Sequence, residues 1–133
     1  MKTLLTAITL AAALVLPVAA APVTTASGLV FDSLKEGSGT APKASDKVRV
    51  HYRGTLQDGT EFDSSYKRGS PAEFPLDRVI RCWTEGLQMM KPGAKAKLTC
   101  PAAIAYGDRG VGGGLIPPGA TLRFEVELLE VLR

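Results

Sequence analysis

The residues of this chain able to do chemistry are few, and most are aromatic. The only Trp, Trp83, follows Val79 and Ile80 and opens a short amphipathic run. A Trp at the base of a helix beside two branched apolar residues can floor a concave apolar pocket. Tyr52, Phe62, Phe74, Tyr106 and Phe124 are rings able to wall it, and the Asp63 carboxylate adjoins one of them. Such a set suits non-covalent work by a dry bowl and a few hydrogen bonds. On residue types alone, the rings also fit a plain hydrophobic core. Asp63 has two readings as well: a loop cap for the Ser64 and Ser65 amides, or a partly buried carboxylate holding Tyr52 and Arg68.

Other chemistries lack their residues. His51 is the only histidine, which excludes a His-rich metal site, and it reads as an outward strand residue between Val50 and Tyr52. The run Gly110-Val111-Gly112-Gly113-Gly114 is followed by no Lys-Ser/Thr and starts no helix, so it reads as a flap and not a phosphate loop. Cys82 and Cys100, 18 positions apart, lack the spacing of a redox CxxC pair. No Ser sits in a nucleophile elbow. The residues call for no cofactor and no metal.

The elements that must position these side chains are mostly strands. Gly28 to Leu34 alternates apolar and polar, and Glu36 to Ala44 reads as loop. Val48, Val50 and Tyr52 share one strand face, and Asp58-Gly59 signals a hairpin returning through Glu61-Phe62-Asp63. On a regular strand Phe62 and Asp63 face opposite ways unless a bulge intervenes. Ser64 to Pro71 is a polar excursion, and Pro75 makes Ala72 to Leu76 a strand end or edge. Trp83, Leu87 and Met90 recur at helical spacing from Arg81 or Cys82 until Lys91-Pro92-Gly93. Ala94 to Cys100 alternates again, and Gly107 to Gly119 is a Gly/Pro-rich loop. In the closing strand, Leu122, Phe124, Val126 and Leu128 point inward while Arg123, Glu125 and Glu127 face water. The residues give four to six strands and one short helix, and the expectation is an α+β domain, a twisted antiparallel sheet with the helix packed across one face and the helix–sheet crevice as ligand site.

With 133 residues and 45% hydrophobic content the chain suits one domain, expected over residues 28–133. Lys2, the apolar run Leu4 to Leu16 and the small residues to Ala21 have the pattern of a cleaved secretory signal over 1–20. Residues 21–27 read as a flexible lead-in. Loss of the leader removes only Lys2 among charged residues, leaving 15 basic against 13 acidic side chains. That near balance gives no footprint for nucleic acid or acidic membranes. Export predicts a periplasmic or secreted protein, with no membrane partner after cleavage. In an oxidising compartment an even cysteine count favours a Cys82–Cys100 disulfide, with two buried thiols as the alternative.

Six motifs occur in register: His51-Tyr52-Arg53-Gly54, Asp58-Gly59, Phe62-Asp63-Ser64-Ser65, Val79-Ile80-x-x-Trp83-x-Glu85-Gly86, Ala105-Tyr106-Gly107, and Ile116-Pro117-Pro118-Gly119-Ala120-Thr121-Leu122. From about Gly28 to Leu132 the chain resembles an FKBP-type peptidyl-prolyl cis/trans isomerase. The resemblance implies an antiparallel five- to six-stranded half-barrel wrapped around one short helix, a Trp83 floor, and a catalytic set of Tyr52, Phe62, Asp63, Ile80, Trp83, Tyr106 and Phe124. Val79, Ile80, Phe74, Leu115 and Ile116 would contact substrate. The Ile80 N–H and the Tyr106 phenol would donate to substrate carbonyls, and Asp63 would orient Tyr52 with Arg68 as counter-charge. Expected partners are proline-containing peptides, unfolded proteins and tacrolimus- or rapamycin-type macrolides, met by a monomer. The alternative function is a non-catalytic peptide-binding module or holdase using the same bowl.

Three features depart from the best-known eukaryotic members. Cys82 stands in place of Gly, with Cys100 in place of an apolar strand residue, which fits a bridge adapted to export. Ala72 replaces another pocket aromatic, which implies a wider bowl. The loop from Val111 to Gly114 is about one residue longer.

Overall fold

The computed structural model describes residues 21–133; the leader expected over 1–20 lies outside the described residues. The strands are β1 (Val23–Thr24), β2 (Val30–Lys35), β3 (Lys47–Leu56), β4 (Glu61–Ser64), β5 (Ala72–Pro75), β6 (Lys95–Cys100) and β7 (Leu122–Leu132). The helices are a single turn, α1 (Ser65–Arg68), and the main helix α2 (Arg81–Leu87). Among the described residues the seven strands form one antiparallel sheet in the order β1-β2-β6-β7-β3-β4, with β5 also on β3. Helix α2 packs across one face, and the fold is α+β.

The period-2 pattern of the long strands decides which face is buried. Along β7, Leu122, Phe124, Val126 and Leu128 are buried while the residues between them are half-buried or exposed. Along β3, Val48, Val50, Tyr52 and Gly54 are buried. Ala96, Leu98 and Cys100 of β6 complete the inner face. From α2, Cys82, Trp83, Gly86 and Leu87 fill the space above it.

The seventh strand accounts for the difference from five or six. In the lead-in, Val23 and Thr24 pair with Phe31 and Val30, and the Thr25 N–H donates to the Leu29 carbonyl at 2.9 Å. Two residues carry no periodicity, so the alternation rule has nothing to read. The excursion after β4 contains α1, held by its ends: Ser64 Oγ accepts from the Lys67 N–H at 3.3 Å, and Gly69 closes the turn at φ 73°. Regular α2 stops at Leu87, short of the expected Met90. The N–H groups of Met89 and Met90 then bond three residues back, to Gly86 and Leu87. The last turn tightens, and Met90 is still buried.

Cys82 and Cys100 form a disulfide, with Cα atoms 5.8 Å apart. It ties the first turn of α2 to the end of β6. Gly86, one turn on, approaches the same strand: a Cβ there would lie 2.9 Å from Leu98 Cδ1. The absence of a side chain lets α2 sit this close to the sheet.

Candidate functional site

The bowl begins at Trp83. Its indole is 4% exposed and meets three rings edge-on: Tyr52 at 5.0 Å, Phe124 at 5.3 Å and Phe74 at 5.6 Å, with interplanar angles of 84°, 85° and 88°. Edge-to-face contact suits the ring quadrupoles and leaves the indole floor braced from several sides. The indole Nε1 is buried and has no hydrogen-bond partner among the described residues. An unpartnered buried donor costs about 1–3 kcal/mol, so the surrounding packing must hold the ring in place.

Above Trp83 opens a bowl of about 480 Å³. Tyr52, Phe74, Val79 and Ile80 wall it, with Asp63, Arg78 and Tyr106 at its edge. Ile80 caps α2 in an extended conformation (φ −56°, ψ 146°), and its N–H has no acceptor among the described residues. The Ile80 carbonyl, by contrast, accepts from the Trp83 and Thr84 N–H groups. The residue that starts the helix therefore leaves one donor free beside the bowl. A smaller concavity, about 230 Å³, lies between β2, β6 and the end of α2. Its only ring is Phe31, and it gathers none of the hydrogen-bonding groups named above.

A bulge aims the carboxylate. In the β3–β4 pairing Gly54 opposes Asp63 and Thr55 opposes Glu61, so Phe62 is the extra residue. Phe62 turns onto Phe124 (5.6 Å, 88°), and Asp63 accepts a short hydrogen bond from the Tyr52 hydroxyl. Gly54 makes room: a Cβ there would come within 2.5 Å of Phe62 Cζ. Arg68, at the end of α1, donates to Asp63 Oδ1 at 2.5 Å and to Tyr52 Oη at 3.0 Å. Its guanidinium also lies 5.6 Å from the Tyr52 ring centroid. Of the two readings of Asp63, the geometry is that of the carboxylate holding Tyr52 and Arg68.

The electrostatics follow from these contacts. Burial pushes the Asp63 carboxyl up, but hydrogen bonds from Tyr52 and Arg68, with the Arg68 charge, outweigh it and hold the group below its ordinary range. Burial and the bond to Asp63 raise the Tyr52 phenol. Burial, then the Asp63 charge, raises Tyr106. Both phenols keep their protons at neutral pH and remain donors.

The other expected site residues lie outside the lining of the bowl. Phe124 meets Trp83 edge-on, and Phe62 packs in turn on Phe124. Ile116 is buried in the core, where its carbonyl accepts from the Val111 N–H at 2.9 Å. Leu115, 51% exposed, sits beside it on the outer loop and does not line the bowl. Tyr106, by contrast, lines the bowl while being 41% exposed. The Gly-rich segment between Val111 and Ile116 folds back on itself through a bridge between those two residues.

Two residues escaped the sequence reading. Ser65 is fully buried, and its Oγ accepts from the Tyr52 N–H at 2.7 Å, donates to the Tyr52 carbonyl at 3.3 Å, and lies 2.9 Å from His51 Nδ1. It stands in the gap where β3 has left β5 and not yet reached β4, so one hydroxyl replaces the missing strand under Tyr52. Arg78 is the other, brought to the bowl by the turn Leu76–Arg78. Its only sequence signal was adjacency to Val79.

Comparison with known proteins agrees with this geometry. Residues 38–129 match the family profile described as FKBP-type peptidyl-prolyl cis-trans isomerase. Over 108 residues the chain is 56% identical to the FKBP-type 22 kDa peptidyl-prolyl cis-trans isomerase of Escherichia coli K12, covering 81% of this chain and 52% of that protein. It is equally identical, over 108 residues, to FkpA of the same organism, covering 81% of this chain and 39% of FkpA. The chain thus spans about half the length, or less, of the curated relatives it matches. The crystal structure of FkpA from Escherichia coli superposes with a TM-score of 0.80 at 54% identity, covering 84% of this chain and 51% of that one. A peptidyl-prolyl cis-trans isomerase structure from Pseudomonas syringae gives 0.78 at 42%, covering 84% and 81%. Sheet order, aromatic bowl and these likenesses converge: the chain belongs to the FKBP-type peptidyl-prolyl cis-trans isomerase family.

Proposed function

We propose that this protein is a peptidyl-prolyl cis/trans isomerase that accelerates X-Pro rotation in exported proteins during folding. The barrier to amide rotation is about 20 kcal/mol, mostly lost resonance. Uncatalysed X-Pro bonds take on the order of tens of seconds or longer to rotate. A gain of about a millionfold needs roughly 8 kcal/mol of differential stabilisation. No bond breaks, so the task requires only that the twisted amide be bound better than the planar one.

The observation that carries this reading is an apolar aromatic floor, Trp83 under edge-on rings, with the unpartnered Ile80 N–H beside it. A planar amide is strongly dipolar and loses hydration in such a bowl; a twisted one is less dipolar and loses less. The Ile80 N–H and the Tyr106 phenol then hold the carbonyls on either side of the rotating bond, which limits the entropy cost. Tyr52, fixed by Asp63, Arg68 and Ser65, keeps the wall rigid. Catalytic roles are assigned on this basis to Tyr52, Asp63, Ile80, Trp83 and Tyr106. Phe62 and Phe124 support them, and Phe74 and Val79 contact substrate.

The substrates are proline-containing peptides and unfolded chains, and macrolides of the tacrolimus type occupy the same bowl. A bridged Cys82–Cys100 pair suits an oxidising compartment, which supports export to the periplasm. A chymotrypsin-coupled assay on a Leu-Pro peptide tests the activity. Faster cis-to-trans conversion, abolished by a macrolide, is expected. Peptide binding without faster conversion would leave the protein a holdase.

A further inference from the structure

The bowl carries one charge for which the fold supplies no partner. Asp63 lines it but is matched by Arg68 at 2.5 Å. Arg78 also lines it, is exposed, and forms no ion pair among the described residues. Arg49, Arg53 and Arg133 each have a carboxylate, at 2.8, 2.7 and 3.5 Å. The contrast is local, because Asp77 precedes Arg78 but does not line the bowl, and exposed Arg81 adds charge of the same sign nearby.

The base of Arg78 is fixed even though its head is free. Leu76, at the start of the same turn, is fully buried. Its N–H donates to the Asp46 carbonyl at 2.9 Å, and its carbonyl accepts from Thr84 Oγ1 at 2.7 Å. The turn is thereby tied both to α2 and to the loop before β3. Arg78 leaves it two residues before the free Ile80 N–H, so a chain seated on that donor passes within reach of the guanidinium. A planar fork of donors at the edge of an apolar bowl matches a carboxylate.

We propose that Arg78 makes the bowl selective for proline segments carrying an Asp or Glu beside the apolar residue–Pro pair. The inference rests on the isomerase reading of the same bowl and adds the class of substrate it prefers. An exposed charge pair of this kind is worth up to about five-fold in an equilibrium constant. The preference therefore ranks substrates and leaves the site open to others.

The test uses Leu-Pro peptides with Glu, Ala or Lys immediately before the Leu or immediately after the Pro. They are assayed with the wild type, Arg78→Gln and Arg78→Glu. The readout is the ratio of kcat/KM for Glu over Lys peptides, with thermal unfolding confirming that each variant is folded. On at least one side of Pro the wild-type ratio should be about two to five. It should fall towards one in Arg78→Gln and below one in Arg78→Glu. It should fade in about 1 M salt, where charges are screened within about 3 Å. A wild-type ratio of one on both sides, or a ratio unchanged by Arg78→Gln, overturns the proposal. Turnover of the Ala peptides separates the two claims. If they are accelerated without charge preference, only the role of Arg78 falls. If no peptide is accelerated by folded protein, the isomerase reading falls and takes this inference with it.

Discussion

Two stripes of α2, about 100° apart around the helix, are built on opposite rules. The Cys82–Gly86 stripe is anchored: a disulfide reaches β6, and the missing Cβ at Gly86 brings the helix against Leu98. Glu85, beside it, accepts a hydrogen bond from Ser27 Oγ at 2.5 Å, which ties the helix to the segment before β2. The Trp83 stripe has no such ties. Its one polar atom is unpartnered and its neighbours are ring edges. The first stripe fixes position so that the second can stay dry and open. A floor that found its own hydrogen bonds would need polar groups in the bowl, and those would solvate the planar amide that the proposed mechanism disfavours.

Substitutions should separate the two stripes. Trp83→Ala removes floor and core together and should cost about 3–5 kcal/mol in urea unfolding, with loss of macrolide binding. Replacing Cys82 and Cys100 by Ala should lower stability by about 3 kcal/mol. Turnover of the protein that remains folded should fall far less than in Trp83→Ala. If turnover collapsed equally, the anchored stripe would be part of the catalytic surface and the comparison would fail. Tyr106→Phe should lower kcat/KM by about 0.5–1.5 kcal/mol, one hydrogen bond, with the unfolding midpoint unchanged. A loss of several kcal/mol would contradict that role.

The smallest effect concerns Asp63. Because its folded carboxyl titrates below the ordinary 3.8, the interaction with Tyr52 and Arg68 is fully present above that value. It is lost as pH falls through the lower folded value. A carbon-13 titration of the Asp63 carboxyl should therefore show a midpoint under 3.8, with the bowl unchanged across neutral pH. A midpoint above that value would mean that burial dominates and that Tyr52 is held some other way.

What the sequence made legible follows from how many residues each feature spends. β7, with eleven residues, declares its buried face four times over, and β3 does the same. The position of Trp83 in α2 and the hairpin at Asp58-Gly59 were equally readable. β1 has two residues and α1 four, too few for any period to register. The bulge at Phe62 depends on Gly54 across the ladder, a pairing invisible until the strands are in register. Leu115 and Ile116 sit on a loop closed by the Val111–Ile116 bridge, a pairing that no local pattern announces. Arg78 and Ser65 were missed for a related reason, since each acts through residues brought near it only by the fold.

Exchange spectroscopy on a Leu-Pro peptide with substoichiometric protein tests the central claim most directly. Cis/trans cross-peaks should build up far faster than the tens of seconds or more that the free peptide needs. The acceleration should stay flat from mildly acidic to mildly basic pH, because no proton moves in the step. Shift changes confined to the bowl, with cross-peaks no faster than in buffer, would show that it binds proline segments without turning them.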